Sequence, residues 1–149
     1  MKLSENFTLE ELTKSKEAED LGIENVPNND ETKALLELTL NVLQPLRTLI
    51  GKPIHINSGF RCKKVNEAVG GVNPTANNRG SQHLYGEAAD IVTDDLETTF
   101  EIIRSQLTFD QLIWEFGRWI HVSYKAGRNR KEVLESYKID GKTHYRSKV

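Results

Sequence analysis

Apolar residues recur every three to four positions between residues 35 and 50, the spacing that places side chains on one face of an α-helix. The residues that carry this repeat are Leu35, Leu38, Val42, Leu46 and Leu49. Gly51 is a typical residue for the end of such a helix. Pro45 lies inside the repeat and has no N–H to donate to the carbonyl of Asn41, so a kink or break is expected between these two residues.

Shorter helical segments are predicted on both sides of this core helix. Thr8 and Glu11 have the capping-box spacing, and an opening helix is expected to run to about Asp20, before Gly22. Residues 63–69 are expected to form one or two helical turns. Residues 94–107 are expected to form a helix capped by an aspartate.

The strand pattern is concentrated in the second half of the chain. Strands are predicted at residues 53–57, 88–92, 112–116 and 119–124, with the last two forming a hairpin about Gly117. One more strand is possible near residues 133–139, followed by a frayed end. This order indicates an α+β fold, a small antiparallel sheet with flanking helices. We expect one domain over 1–149, with a helical part to about 51, a catalytic part over about 52–125 and a polar C-terminal tail.

Composition excludes several classes of function. The 149 residues include 20 basic and 22 acidic side chains without a run of like charge, so neither nucleic acid nor an anionic membrane is an expected partner. Cys62 is the only cysteine, which excludes an internal disulfide and zinc sites built from several thiolates. The N-terminus does not resemble a signal peptide and no segment is apolar enough to span a membrane, so the protein is expected in the cytoplasm after synthesis, without a membrane anchor.

Two histidines and one aspartate offer a set of metal ligands. His83 follows a loop rich in Gly and Asn, Asp90 lies in a predicted strand, and His121 lies in the last strand of the hairpin. Two imidazoles and a carboxylate suit one zinc ion and leave its fourth position open for water, which is typical of catalytic zinc. His83 alone would more simply be an ordinary loop histidine, and Asp90 could merely begin a strand or cap a turn. The three together favour zinc.

Strand parity bears on a possible catalytic base. Side chains alternate along a strand, so His121 shares a face with Trp119, while Ile113 and Glu115 share a face on the partner strand. A register that sets Glu115 opposite His121 or Trp119 would place its carboxylate on the metal side, and a slip of one residue would turn it away. The alternative is a charge that protects the strand from aggregation.

Three segments together resemble the zinc D-alanyl-D-alanine carboxypeptidases, relatives of lysostaphin-type and Hedgehog-type zinc domains. The segments are Ser58-Gly59-Phe60-Arg61, Ser81-x-His83-x-x-Gly86-x-Ala88-x-Asp90 and Trp119-x-His121. The likeness covers residues 35–124. It implies His83, Asp90 and His121 as zinc ligands, a cell-wall peptide as substrate and a small α+β fold around an antiparallel sheet.

The resemblance also suggests residues that contact the substrate. Arg61 matches an arginine that holds a substrate carboxylate, and Ser81 matches the serine two residues before the first ligand. Many relatives have an acid or a histidine two or three residues before the last ligand, where this chain has Trp119 and Arg118. Glu115 is the nearest acid on the preceding strand and is therefore our prediction for the catalytic base.

Two classes of function follow from these expectations. The first is a zinc peptidase that cuts peptidoglycan stem peptides, either as a D-alanyl-D-alanine carboxypeptidase or as an endopeptidase that cuts within the stem. The second is a zinc-containing binding module without turnover. Peptidoglycan lies outside the membrane, yet the N-terminus does not resemble an export signal. We therefore expect a phage or prophage lysis enzyme, or endolysin, that acts on the wall after release. The protein is expected to be a monomer.

Overall fold

Six α-helices and six β-strands form in the computed structural model, which describes residues 1–149. The helices are α1 (Leu9–Thr13), α2 (Lys16–Leu21), α3 (Asn29–Leu38), α4 (Gln44–Ile50), α5 (Lys63–Ala68) and α6 (Leu96–Gln106). The strands are β1 (His55–Ser58), β2 (Ala88–Val92), β3 (Gln111–Glu115), β4 (Trp119–Ser123), β5 (Glu132–Ile139) and β6 (Lys142–Ser147). They form one sheet in the order β1-β2-β4-β3-β5-β6, and every neighbouring pair is antiparallel except β3 with β5. The α+β prediction is confirmed.

The opening segment forms two short helices instead of the single one predicted. Thr8 and Glu11 make the expected capping box at the start of α1. Lys14 then takes an extended conformation, and the Ser15 side chain accepts a hydrogen bond from the Ala18 N–H to begin α2. The prediction of one continuous helix was wrong because Ser15 can compete for a backbone N–H and begin a new helix.

The core helix stays continuous but departs from α-helical geometry next to Pro45, where a kink or break was predicted. An Asn28–Glu31 capping box begins α3, and a π-helical turn over Thr39–Leu43 joins α3 to α4. Pro45 lies in the first turn of α4, where its missing N–H costs least. Four of the five repeating residues, Leu35, Leu38, Val42 and Leu46, are completely buried, whereas Leu49 is half exposed.

Helices α1, α3, α4 and α6 lie on one face of the sheet, and the site lies on the other. One face carries apolar side chains of β2, β3 and β4 that pack against the helices; these are Ala89, Ile91, Leu112, Ile120 and Val122. The alternate residues of the same strands, including Asp90 and His121, point to the other face because side chains alternate along a strand. The apolar face therefore anchors the backbone that carries the polar one. No helix in the fold has the combination of length and apolar surface that a membrane span requires.

The C-terminal segment extends the sheet by two strands. The possible strand near 133–139 is confirmed as β5, but the predicted frayed end was wrong because residues 142–147 form β6. Asp140 and Gly141 join the two strands with φ values of 50° and 77°. Asp-Gly is a preferred pair for a two-residue hairpin in which both central residues have positive φ. This dipeptide was the signal in the sequence for a second hairpin.

Gly86 fixes the turn that leads into β2, and its replacement by alanine is expected to destabilise the protein. Its φ is +73°, and an added Cβ would lie 2.4 Å from the carbonyl oxygen of Glu31. Left-handed backbone costs a residue with a Cβ about 1 to 2 kcal/mol, and the clash with rigid backbone adds to that cost. We expect Gly86→Ala to lower the free energy of unfolding in urea by at least about 3 kcal/mol.

Gly22 provides the matched control. It ends α2 with a φ of +66°, and an added Cβ would meet no atom within 4 Å. Gly22→Ala therefore costs only the backbone conformation, about 1 kcal/mol. Equal decreases in the free energy of unfolding for Gly86→Ala and Gly22→Ala would show that the Glu31 carbonyl moves away from the added Cβ at no energetic cost.

Candidate metal centre

His83, Asp90 and His121 meet on the open face of the sheet. One potential ligand atom from each residue lies within 4.8 Å of the others. The Asp90 Oδ1 is 3.3 Å from His83 Nε2 and 3.1 Å from His121 Nδ1. The three residues that sequence analysis selected as metal ligands are thus brought together, although 38 residues separate the first from the last.

The sheet register explains how two of the three meet. β2 and β4 are antiparallel neighbours, and Asp90 is paired directly with His121. Residues paired in this way have Cβ atoms about 4.5 to 5.5 Å apart on the same face. A shift of one residue in the register would place one of them in the core.

His83 reaches the same point from a short helical turn. Residues Gln82–Tyr85 form a 3-10 helix, and the Ser81 Oγ accepts a hydrogen bond from the His83 N–H at its start. The Nδ1 of the His83 ring lies 2.7 Å from the carbonyl oxygen of Gly59. A carbonyl can only accept, so Nδ1 carries a proton, and Nε2 is the ring nitrogen that faces Asp90. Such a partner on the other ring nitrogen is typical of histidines that bind metals.

Gly59 can take this position only because it lacks a side chain. Its Cα lies so close to α1 that an added Cβ would be 2.2 Å from the carbonyl oxygen of Leu12. The next residue, Phe60, donates its N–H to the same Leu12 carbonyl at 2.8 Å. The position of the His83 ring therefore depends on the contact between α1 and the segment after β1.

The protonation states expected in this environment suit a divalent cation. Burial lowers the pKa of His83, whose side chain is only 2% exposed, and so favours the neutral imidazole. Burial would raise the pKa of Asp90, but the imidazoles of His83 and His121 beside it hold that pKa well below its usual range. Two imidazole nitrogens and an ionised carboxylate form a donor set that fits zinc, with a fourth position toward the cleft.

A cleft of about 730 Å³ opens beside the three residues. Arg61 and Ser81, the predicted contacts for the substrate, line it together with Glu115. The structure thus brings all six predicted site residues to one cavity, which is large enough for a peptide of a few residues.

Arg61 is a cation without an acidic partner. Its Nη2 donates to the Ser81 Oγ at 3.4 Å, it forms no salt bridge, and its buried Nε has no hydrogen-bond acceptor. Burial lowers its pKa, although the charge of Asp90 opposes that change. A partly buried guanidinium with free donors is suited to bind a carboxylate with two hydrogen bonds.

Glu115 lies on the metal side of the sheet, as one of the two possible registers predicted. It is paired with Trp119, one strand away from His121. Its side chain is 7% exposed, and burial raises its pKa, whereas the hydroxyl of Ser136 and the charge of His121 act to lower it. A carboxylate of raised pKa on the edge of a metal centre is chemically able to accept and return a proton.

Two groups of residues near the site were not identified from the sequence. Glu87 is buried and holds Arg79 and Lys125 through salt bridges of 2.6 and 3.3 Å, which fixes the loop that precedes His83. The other group is on the β5–β6 hairpin, which contributes Lys138 and Tyr145 to the cleft. Glu87 gave no signal because its pairing with Arg79 and Lys125, which are 8 and 38 residues away, is not set by a local sequence pattern.

The chain is similar to a known family of peptidases. The family model described as peptidase M15 matches residues 5–123. None of the curated proteins matches the chain. Peptidases of this family depend on zinc, in agreement with the cluster of His83, Asp90 and His121.

The match covers most of the chain and confirms the resemblance to the zinc D-alanyl-D-alanine carboxypeptidases. It ends at the last residue of β4, so it includes the three candidate ligands and leaves out the β5–β6 hairpin. The chain belongs to the peptidase M15 family of metallopeptidases.

Proposed function

We propose that this protein is a zinc-dependent D-alanyl-D-alanine carboxypeptidase that acts on peptidoglycan stem peptides. The observation that carries the proposal is the unpaired guanidinium of Arg61 beside the cluster of two histidines and an aspartate. Removal of a terminal residue by a metallopeptidase requires a metal centre and, close to it, a group that binds a free carboxylate. This site offers both.

His83, Asp90 and His121 would hold the zinc ion through Nε2, Oδ1 and Nδ1. When bound, zinc lowers the pKa of a coordinated water to about 7 and polarises the carbonyl of the peptide bond. The remaining steps depend on side chains of the chain itself.

Arg61 orients the substrate and Glu115 transfers the proton. The guanidinium binds the terminal carboxylate, which places the last peptide bond beside the cluster. Glu115 accepts a proton as the water oxygen bonds to the carbonyl carbon. It then donates this proton to the nitrogen of the departing amino acid as the C–N bond breaks. The raised pKa of Glu115, caused by burial, favours the return of the proton in the second step.

Mass spectrometry of the products tests this proposal. The zinc-loaded protein is incubated with a stem pentapeptide ending in D-alanyl-D-alanine, and with the same peptide carrying a C-terminal amide. We expect loss of one alanine from the free acid, stopped by a chelator and restored by added zinc. Turnover of the amide should be lower by at least about 100-fold. The amide loses the two hydrogen bonds between Arg61 and a charged carboxylate, and each such bond contributes about 1.5 to 3 kcal/mol.

Other products would overturn the carboxypeptidase assignment in different ways. An internal cut, equally fast in the acid and the amide, would make the protein an endopeptidase whose Arg61 binds a carboxylate inside the stem. No product from protein that contains one zinc per chain would favour a binding module.

A further inference from the structure

The face of the sheet that carries the metal centre continues across the β5–β6 hairpin, beyond the residues that match the family. Glu115 is paired with Ser136 on β5, and Ser136 is paired with Tyr145 on β6. Paired residues lie on the same face of a sheet, so Tyr145 and Glu115 share the face that lines the cleft. The hairpin contributes four residues to the wall of this cleft; these are Leu134, Lys138, Thr143 and Tyr145.

Lys138 is the second free cation in the cleft. Three basic residues line the cavity, and one of them, Arg130, is neutralised by a salt bridge of 2.9 Å to Asp110. Lys138 forms no salt bridge; its ammonium lies 5.6 Å from the centre of the Phe116 ring. Arg61 follows β1 at one end of the strand order and Lys138 lies on β5 toward the other, with the metal centre between them.

The separation between the metal centre and Lys138 corresponds to a few residues of peptide. His121 is paired with Ile113, and Ile113 with Leu134, four residues before Lys138. With strands about 4.8 Å apart and a rise of about 3.3 Å per residue, the Cα atoms of His121 and Lys138 are roughly 16 Å apart. After allowance for the lysine side chain, roughly three residues of extended peptide connect the two points.

Tyr145 lies beside this path with its hydroxyl available as a donor. It is half exposed and lines the cleft. Burial and the charges of Glu115 and Asp90 raise its pKa, so the hydroxyl stays protonated at neutral pH and lies within the field of both carboxylates. A phenol in this place can donate to a peptide carbonyl.

We propose that the β5–β6 hairpin binds the acyl side of the substrate: Lys138 pairs with a second carboxylate about three residues before the scissile bond, and Tyr145 donates to the intervening backbone. This inference rests on the proposed function for the direction of the peptide, with its terminal carboxylate at Arg61. The ligand is thus an acidic peptide that carries one carboxylate on each side of the metal centre. The hairpin determines specificity and takes no part in bond cleavage.

Binding to an inactive protein tests this inference independently of turnover. Calorimetry of zinc-loaded Glu115→Gln protein is performed with two peptides that differ only at the third residue before the last bond. One has a carboxylate there and the other a carboxamide. We expect the carboxylate peptide to bind about threefold to fivefold more tightly, the upper range for an ion pair with an exposed lysine.

Variants of the hairpin locate the source of this preference. Lys138→Met should bind both peptides with the affinity of the carboxamide. Lys142 is exposed and lies outside the cleft, so Lys142→Met should keep the full preference. Tyr145→Phe should weaken both peptides by about threefold to tenfold, the effect of one hydrogen bond. Tyr137→Phe, which removes a hydroxyl on the opposite face of β5, should weaken neither.

Two results would overturn the inference. Equal affinities for the two peptides would exclude a carboxylate site at this distance, and a preference that survives Lys138→Met would place the site elsewhere. A protein that shows the preference but does not hydrolyse the pentapeptide would retain the hairpin site and lose the proposed activity. A protein that hydrolyses the pentapeptide but binds the two peptides equally would retain the proposed activity and lose the hairpin site.

Discussion

Replacing His121 with alanine is expected to abolish zinc binding and, with it, peptide hydrolysis. The substitution leaves His83 and Asp90 as the only candidate ligands, and two donors do not hold zinc in a catalytic site. Loss of groups that merely orient a ligand lowers metal affinity about 10-fold to 100-fold, so loss of a ligand itself should exceed about 100-fold. Zinc per chain, measured by plasma mass spectrometry after dialysis, and release of alanine give the two readouts.

His121 is a better test than His83 because its ring is not part of the packed interior. Its side chain is 12% exposed and contacts only Asp90 through a hydrogen bond, whereas the His83 ring also bonds to the Gly59 carbonyl. His55→Ala is the matched control, since His55 is exposed on β1. A His121→Ala protein that keeps one zinc and wild-type turnover would remove this residue from the metal centre.

Replacing Glu115 with glutamine is expected to preserve zinc binding and to lower turnover by about 10²-fold to 10⁴-fold, the contribution of a positioned general base. Glutamine has nearly the same shape but cannot accept the proton from water. Zinc content and product release are measured as for His121→Ala. Glu135→Gln is the control, because Glu135 is paired with Trp114 on the other face of the sheet.

The pH dependence gives the same prediction a second readout. Glu115 acts as a base only when it is ionised, and burial raises its pKa above the ordinary value of 4.5. The value of kcat/KM should therefore fall about tenfold per pH unit on the acid side of that raised pKa. Glu115→Gln should lack this limb. If Glu115→Gln kept full activity and the same decrease of kcat/KM at acid pH, the base would be another residue.

Stability should change in the opposite direction from activity. A carboxyl whose pKa is raised by folding disfavours the folded state when it is ionised, and stability declines as the pH rises through that pKa. Glutamine does not ionise. In metal-free protein at pH 7, the free energy of unfolding of Glu115→Gln should therefore equal or exceed that of the wild type.

Sequence predicted best those parts of the fold that depend on near neighbours. The helix irregularity before Pro45, the capping box of Thr8 and the hairpin about Gly117 follow from steric and hydrogen-bonding rules that act within a few residues. The division of α1 from α2 was missed because a serine inside a helical pattern can be either an interior residue or a cap. The strand β6 was missed because all six of its side chains are exposed, so it has no apolar alternation.

The candidate site was predicted as a set of residues and not as an arrangement. Motif spacing selected His83, Asp90 and His121, but the pairing of Asp90 with His121 depends on the register of strands far apart in sequence. The alternation of side chains along β3 allowed the Glu115 carboxylate to lie on either face of the sheet. Only the register of β3 against β4 decides between the two faces. The free guanidinium of Arg61 is also invisible in the sequence, since the absence of a partner is a property of the complete fold.

The short contact between Gly59 and α1 links the N-terminal sixty residues to the metal centre. Leu12 accepts from the Phe60 N–H, Gly59 lies against the same carbonyl, and the Gly59 oxygen fixes the tautomer of His83. Detachment of α1 would therefore free the imidazole to rotate, and a metal that needs Nε2 would oppose that detachment. Zinc and the first helix would thus stabilise each other by thermodynamic linkage, so that metal binding and the docking of the N-terminal segment belong to one equilibrium.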